Sequence, residues 1–346
     1  MALQKALLLE QKHGSFALST RPVPNPGPGE LLVRIKAAGL NPVDWKIRDI
    51  GFLLSDNDYP SVLGTDNAGD VVELGEGVDA KQWEKGTRVF FQGQYGRSDV
   101  NGFQQYALIS ADLAAKIPAQ LSYSQAASIP VAFVCGAYGM MVEPPIGAGL
   151  NPNWDQNVKY SGEHALVLGG STSVGQYAIQ ILRKVLGFSS VITYASAKQT
   201  EYLKSLGATH VIDRHQVAFT NLPSAVLEQT SQSRLKMVFD AFGGGEEVGF
   251  SLLAEGGQVC TVNPSIQERK EDGKRLFGVL GIVHAPTHRV AGVKMIKNLE
   301  RLVEEGVILP NRIHDLPIGL GNIVEGLAMV KGEKAAGAKV IAHPEE

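Results

Sequence analysis

Along this chain the spacing of apolar positions changes character twice, near residue 122 and near residue 306. In the first stretch apolar residues come in short runs cut by turn residues. Residues 31–37 (LLVRIKA) read as a strand entered through the Pro- and Gly-rich segment 22–29. Residues 70–74 read as another, stopped by Gly75-Glu76-Gly77, and residues 87–91 as a third. Residues 1–10 (MALQKALLLE) hold a short apolar stretch with no small-residue cleavage site, and polar Gln11, Lys12 and His13 follow. They read as an opening strand rather than a secretory leader. Short strands at this spacing predict a barrel-like all-β unit.

From residue 122 the pattern lengthens. The serines of Ser122-Tyr123-Ser124-Gln125 are placed to cap a helix, and apolar residues 126–129 follow. Residues 143–157, rich in Pro, Gly and Asn, predict a long surface loop. Strand and helix patterns then alternate. Residues 165–168 read as a buried strand, 174–186 as a helix, 190–194 as a strand and 198–206 as a helix, with further strands at 210–212 and 237–239. That alternation predicts a parallel, doubly wound α/β sheet. Past residue 306 the character is mixed, and 337–342 read as a closing strand that completes one of the two earlier units.

Composition narrows the class. A chain of 346 residues, 44% of them hydrophobic, is too long for one ordinary core and fits two domains. A formal charge of −3 gives no electrostatic case for nucleic acid or an anionic membrane as partner. The longest apolar runs are far too short to cross a bilayer. Cys135 and Cys260 are the only cysteines, which excludes a disulfide framework and points to a reducing, cytoplasmic setting.

The turn Gly169-Gly170-Ser171-Thr172-Ser173-Val174-Gly175 lies between the 165–168 strand and the helix after it. A small-residue turn there lets backbone N–H groups and a positive helix N-terminus face a pyrophosphate. Thr172 replaces the middle glycine of the G-x-G-x-x-G pattern, and the alternative is an ordinary glycine-rich turn. Its place inside a βαβ unit favours the cofactor. NAD sites carry Asp or Glu about 20 residues further on. Here that segment is Tyr194-Ala195-Ser196-Ala197-Lys198, without an acid. Ser196 can donate to a 2′-phosphate and Lys198 adds charge, which favours NADPH; the alternative for Lys198 is a solvated lysine near a helix start. Tyr194 and Val262 complete the expected cofactor contacts.

The motifs Gly39-Leu40-Asn41-Pro42-Val43-Asp44, Gly64-Thr65-Asp66-Asn67-Ala68-Gly69, the glycine turn, Gly207-Ala208-Thr209-His210-Val211-Ile212-Asp213, Val238-Phe239-Asp240 and Gly337-Ala338-Lys339-Val340 occur in this order. In them the chain resembles the medium-chain dehydrogenase/reductases over essentially its full length. The resemblance implies a GroES-like β-barrel domain from residues 1–122 and 306–346, and a doubly wound Rossmann NADPH-binding domain from 123–305. Nicotinamide and substrate would lie in a cleft between them. Zinc members of the family carry Cys in the segment of Asn41, a His-Glu pair in that of Thr65-Asp66, and four clustered cysteines for a structural zinc. This chain has none of these, so the resemblance implies no metal.

Within the family the chain is similar to the quinone oxidoreductase and fungal enoyl-reductase branch, including trans-acting enoyl reductases that serve polyketide synthases. That implies a small enone, enoyl or quinone substrate, free or carried on a synthase protein, and a monomer or homodimer. Two departures stand out. Thr172 and Ser173 occupy positions where the branch has more glycine, so hydroxyls would help hold the pyrophosphate. The branch also often has threonine near Cys135.

Without zinc, reduction of a simple ketone loses its electrophile, whereas a conjugated C=C bond or a quinone takes hydride and spreads the charge onto oxygen. The protein then needs a donor at that oxygen and a proton source. Lys46 resembles a lysine placed similarly in the fungal branch and could polarise the carbonyl; the alternative is a surface lysine on a short helix. Tyr59, before Pro60, is a candidate proton donor or a packing residue. Asn41 is a candidate ligand of the nicotinamide ribose or amide, Asp44 fixes the turn, and Cys135 among apolar neighbours reads as a small hydrophobe. The leading function is therefore an NADPH-dependent, zinc-independent reductase of activated C=C bonds or quinones. A zinc-free carbonyl reductase and a cofactor-binding protein without turnover are the alternatives.

Overall fold

The segment 30–39 alternates so that most of its side chains turn inward, and it becomes the spine of the first unit. A computed structural model describes residues 2–335 and 337–345. In it the strand Glu30–Gly39 pairs antiparallel along one edge with Asp66–Leu74. Its other edge is shared by Tyr106–Ser110, opposite residues 30–34, and Lys339–His343, opposite Ala38 and Gly39. The expected closing strand thus completes this sheet, which runs on from Asp66–Leu74 through Arg88–Gln92 to Ala114–Lys116. A second, three-stranded antiparallel sheet holds Leu3–Leu9 between Phe16–Pro22 and Ser61–Val62. The sequence pattern did not announce Phe16–Pro22, because its residues are half-buried or exposed and it lies at a sheet edge.

By contacts the chain forms two units, Met1–Val131 with Ile282–Glu304 and Pro310–Glu346, and Ala132–Gly281 with Glu305–Leu309. Residues 123–131 and 282–304, read from the sequence with the Rossmann part, group with the first unit. The reason for the later segment is the helix Arg289–Glu304. Its buried face, Met295, Ile296, Leu299, Leu302 and Val303, repeats at helical spacing. Glu300 on it accepts a hydrogen bond from the Lys116 backbone N–H at 3.0 Å.

The second unit is a seven-stranded sheet in the order His210–Asp213, Ser190–Ala195, His164–Leu168, Leu235–Asp240, Leu253–Thr261, Lys274–Gly278, Arg269–Glu271. All neighbours are parallel except the last pair. The central strands are buried on both faces, which is why they read as continuous apolar runs rather than alternations. With the antiparallel Arg269–Glu271 left out, the six parallel strands, numbered along the chain, stand in the order 3-2-1-4-5-6 of a Rossmann sheet, whose strand order reverses between His164–Leu168 and Leu235–Asp240. The expected helix 174–186 begins as an α-helix, Ser173–Gln180, and continues as a π-helical turn, Ile181–Val185.

The loop 143–157 corrects an expectation. It has no regular structure, but it does not lie simply on the surface. Ala148, Leu150, Asn151 and Trp154 are buried. Arg275, itself buried, donates to the carbonyls of Gly147 (2.5 Å) and Pro145 (2.7 Å), while Glu268 takes its Nε–H at 2.6 Å. A guanidinium presents several donors in a fixed fork, so one side chain satisfies the backbone of a loop folded back on the sheet.

Candidate active site

The glycine turn sits at the point where the strand order reverses. Gly169 ends the strand at φ +76°, a region that favours glycine. A Cβ at Gly170 would come 2.0 Å from Thr193 Oγ1, and one at Gly175 would come 2.3 Å from the Gly169 carbonyl oxygen. Only glycine lets the turn and the next helix approach this closely. The first N–H groups of Ser173–Gln180 lack partners from within their helix and form a donor end for an anion. Thr172 is the N-cap: its Oγ1 accepts from Gly175 N at 3.0 Å. The hydroxyl that looked available for pyrophosphate therefore acts first as a helix cap. Ser171, Ser173 and Val174 are half-buried beside it.

Ser190–Ala195 delivers the other expected cofactor residues to the same end of the sheet. Tyr194 donates from its hydroxyl to the Val217 carbonyl at 2.8 Å. Ser196 is half-buried and Lys198 exposed just beyond. Two charged neighbours escaped the sequence reading. Arg214 N–H donates to the Ala195 carbonyl at 3.0 Å, which sets a second cation at the end of the adjacent strand. Asp213 accepts from Ala197 N (3.2 Å) and His215 N (3.1 Å), and these backbone donors lower its carboxyl below the usual carboxylate range. Asp213 ends the His210–Asp213 strand and Arg214 follows it, and strand pairing was the available signal.

Across the reversal point, buried Asp240 ends the Leu235–Asp240 strand. It accepts from the N–H groups of Phe242 (3.3 Å), Gly243 (3.1 Å) and Gly245 (2.9 Å) and from Thr261 Oγ1 (3.1 Å). Burial pushes its carboxyl pKa up against these bonds. The anchored loop holds half-exposed Phe242 against the glycine turn, where a Cβ on Gly169 would be 3.2 Å from the ring. Val262 is half-buried and donates to the Asp240 carbonyl at 3.1 Å.

In the first unit, the expected residue Asn41 is the N-cap of the helix Pro42–Ile50, and Asp44 Oδ2 reaches back to accept from Asn41 N at 2.8 Å. Asn41 also belongs to a buried network that the sequence reading missed. Lys339, only 3% exposed, donates to Asn41 Oδ1 at 2.6 Å and to Asp66 Oδ2 at 2.7 Å. Asn41 Nδ2 donates to the same Asp66 oxygen at 2.8 Å, and Val131 N reaches Asp66 Oδ1 at 2.6 Å. The one signal was a charged residue opening an otherwise apolar strand. These residues do not fit a zinc ion. The position beside Asn41 and Asp66 is filled by an ammonium, and the neighbouring Thr65 Oγ1 is hydrogen-bonded to Tyr95 OH at 3.2 Å. Among the described residues no three His, Cys, Asp or Glu side chains converge as ligands.

Lys46 is half-buried on the same short helix, its Nζ 5.8 Å from the Trp45 ring centroid. Tyr59 has a buried hydroxyl with no hydrogen-bond partner among the described residues. Burial and the nearby Asp56 and Asp58 raise its pKa, which keeps it a phenol.

Comparison with known proteins agrees with this picture. Residues 27–119 match the Alcohol dehydrogenase GroES-like domain and residues 173–282 the Zinc-binding dehydrogenase family. A 2-methylene-furan-3-one reductase of Solanum lycopersicum is 30% identical over 329 residues, 93% of this chain and 74% of that protein. A trans-enoyl reductase of Gibberella fujikuroi is 30% identical over 323 residues, 87% of this chain and 88% of the relative. The crystal structure of an alcohol dehydrogenase superfamily protein from Novosphingobium aromaticivorans superposes with a TM-score of 0.80 at 26% identity, over 99% of this chain and all of that one. The chain belongs to the medium-chain dehydrogenase/reductase superfamily. It is an oxidoreductase that uses a nicotinamide cofactor.

Asp44 generates a prediction. Its burial pushes the carboxyl up to about 7, opposed by the Asn41 and Gly64 N–H groups and by Lys339, and Oδ1 is buried without a hydrogen-bond partner among the described residues. A group whose pKa is higher folded than unfolded stabilises most below its unfolded value, and that contribution is lost as pH rises through the folded one. Thermal melts of the wild type should therefore lose stability between about pH 4 and pH 7. Asp44→Asn, which keeps the cap acceptor and cannot ionise, should flatten that slope. An unchanged slope would show that Asp44 is already ionised in the folded protein.

Proposed function

We propose that the protein is an NADPH-dependent reductase of conjugated C=C bonds or quinones that works without a metal. The observation that carries this reading is the Lys339 ammonium bonded to Asn41 and Asp66, in the segments where zinc members of the family keep ligands. A cation fixed there leaves no room for a Lewis acid, and a substrate that delocalises its own charge needs none. The relatives named as an enoyl reductase and a furanone reductase act on substrates of that kind, and the same class is proposed here, free or carried on a synthase.

The reduced nicotinamide, when bound, supplies a hydride. The chain supplies the rest. The Gly169–Gly175 turn and the N-terminus of Ser173–Gln180 would hold the pyrophosphate, and Ser196 and Lys198, joined by Arg214, would hold the 2′-phosphate. Lys46 stabilises the negative charge that develops on the substrate oxygen. Tyr59, held as a phenol by burial, donates the proton. Wild-type protein should oxidise NADPH with enones, enals or quinones and keep that activity after dialysis against a strong chelator. Binding without turnover, or activity that only added zinc restores, would overturn the reading.

Lys198→Ala should weaken NADPH binding and leave NADH nearly unchanged. A charge-assisted bond to phosphate is worth at most about 1.5–3 kcal/mol, and titration of both cofactors checks it. Equal wild-type affinities for the two would remove the basis for NADPH.

Lys46→Met keeps most of the stem and deletes the cation. Turnover with an enone should fall about 10²–10³-fold, while the NADPH dissociation constant stays within a few-fold of wild type. Wild-type turnover in this variant would make Lys46 a surface residue.

A further inference from the structure

Three buried ionisable side chains meet in the first unit, and one of them is a cation: Lys339 on the strand Lys339–His343, Asp66 on Asp66–Leu74, and Asp44 on the helix Pro42–Ile50. The chemistry of this group fixes the orientation of a neutral side chain. An ammonium only donates and a carboxylate only accepts, so the Asn41 amide can satisfy both in one way, with Oδ1 toward Lys339 (2.6 Å) and Nδ2 toward Asp66 (2.8 Å). The ammonium has little freedom of its own. Asp66 holds it at 2.7 Å and is itself held by Val131 N. The stem passes Gly39, where a Cβ would stand 2.8 Å from Lys339 Cε and 2.5 Å from the Ala127 carbonyl oxygen. Asn41 in turn heads the helix that carries Lys46.

We propose that Lys339 is a positioning residue for the reaction. Its ammonium locks the Asn41 amide and the head of the helix Pro42–Ile50, so that Asn41 offers the remaining lone pair of Oδ1 to the nicotinamide end of the cofactor. The proposal rests on the nicotinamide-dependent reading given above, with Asn41 as a cofactor contact. Lys339 itself acts only through Asn41 and Asp66, because it is almost wholly buried and two of its three donors are spent on them.

The test removes the two charges together, since a lone buried Asp66 carboxylate would threaten the fold by itself. Lys339→Met/Asp66→Asn keeps polar shape at 66 and removes both ions of the pair, and below about pH 7 the neighbouring Asp44 carboxyl is protonated. The readouts are thermal melting, NADPH affinity, the fluorescence of bound reduced nicotinamide, and turnover with NADPH deuterated at the transferring position. Positioning predicts a folded protein whose NADPH dissociation constant changes by about threefold or less, because the pyrophosphate turn is untouched. The fluorescence gain on binding should be largely lost, turnover should fall about 10–100-fold, and the isotope effect should rise.

Asn41→Ala closes the cycle. If Lys339 acts through Asn41, that change should cost much less in the double-variant background than in wild type. A folded double variant with wild-type fluorescence and turnover, or full independence of the Asn41→Ala effect, would overturn the proposal. Should the wild type bind NADPH without turnover, the reductase reading fails and the fluorescence arm still decides the role of Lys339. Should the double variant not fold, Lys339→Arg keeps the charge and displaces the donor. Reduced fluorescence and turnover in folded Lys339→Arg support positioning, and unchanged values overturn it.

Discussion

The first unit depends on one buried ion pair. Removing an ammonium and a carboxylate from water costs several kcal/mol per ion, and only close geometry with further hydrogen bonds offsets that cost. Lys339 and Asp66 meet the condition at 2.7 Å, with Asn41 bridging them and Val131 N completing Asp66. The pair therefore joins the closing strand, the strand Asp66–Leu74 and the start of the helix Pro42–Ile50 at one point. Asp44 sits beside it as a further buried carboxyl, and its burial, with the Asp66 charge adding to it, raises its pKa.

The second unit solves a different problem, how to bring backbone donors to one point. Two loops leave the sheet where its strand order reverses. One is tightened by glycines that touch backbone and Thr193, with Thr172 capping the helix that follows. The other is drawn in by Asp240, which gathers three N–H groups and sets Phe242 against the first. Acidic and hydroxyl side chains that a motif search would assign to ligands are occupied in shaping the backbone that would meet one.

Much of this was legible beforehand where the information is local. Apolar runs gave the strands of the parallel sheet, and Gly169 to Gly175 marked the strand-to-helix turn, because period and glycine placement are properties of neighbouring residues. Phe16–Pro22 was missed because an exposed edge strand has no buried face to set a period. The loop 143–157 was read as surface because nothing within it reveals Arg275, which lies more than a hundred residues away. Arg214 and Lys339 were missed for the same reason. A strand's partner and a buried lysine's counter-ion are facts of topology, and Asn41 could be named without showing that its amide was already engaged by a residue 298 positions later.

That separation bears on how the chain comes off the ribosome. Asn41 and Asp66 are made long before their cation, which follows 298 and 273 residues later. During synthesis the strands of residues 30–116 can pair with one another while Asp66 still lacks its partner, so the nascent sheet carries a carboxylate that is best left in water. The buried pair can form only when the closing strand arrives beside Gly39 and brings the ammonium with it. All seven strands of the second unit's sheet are encoded between these two events, so that sheet needs nothing from the closing strand to complete its own pairing.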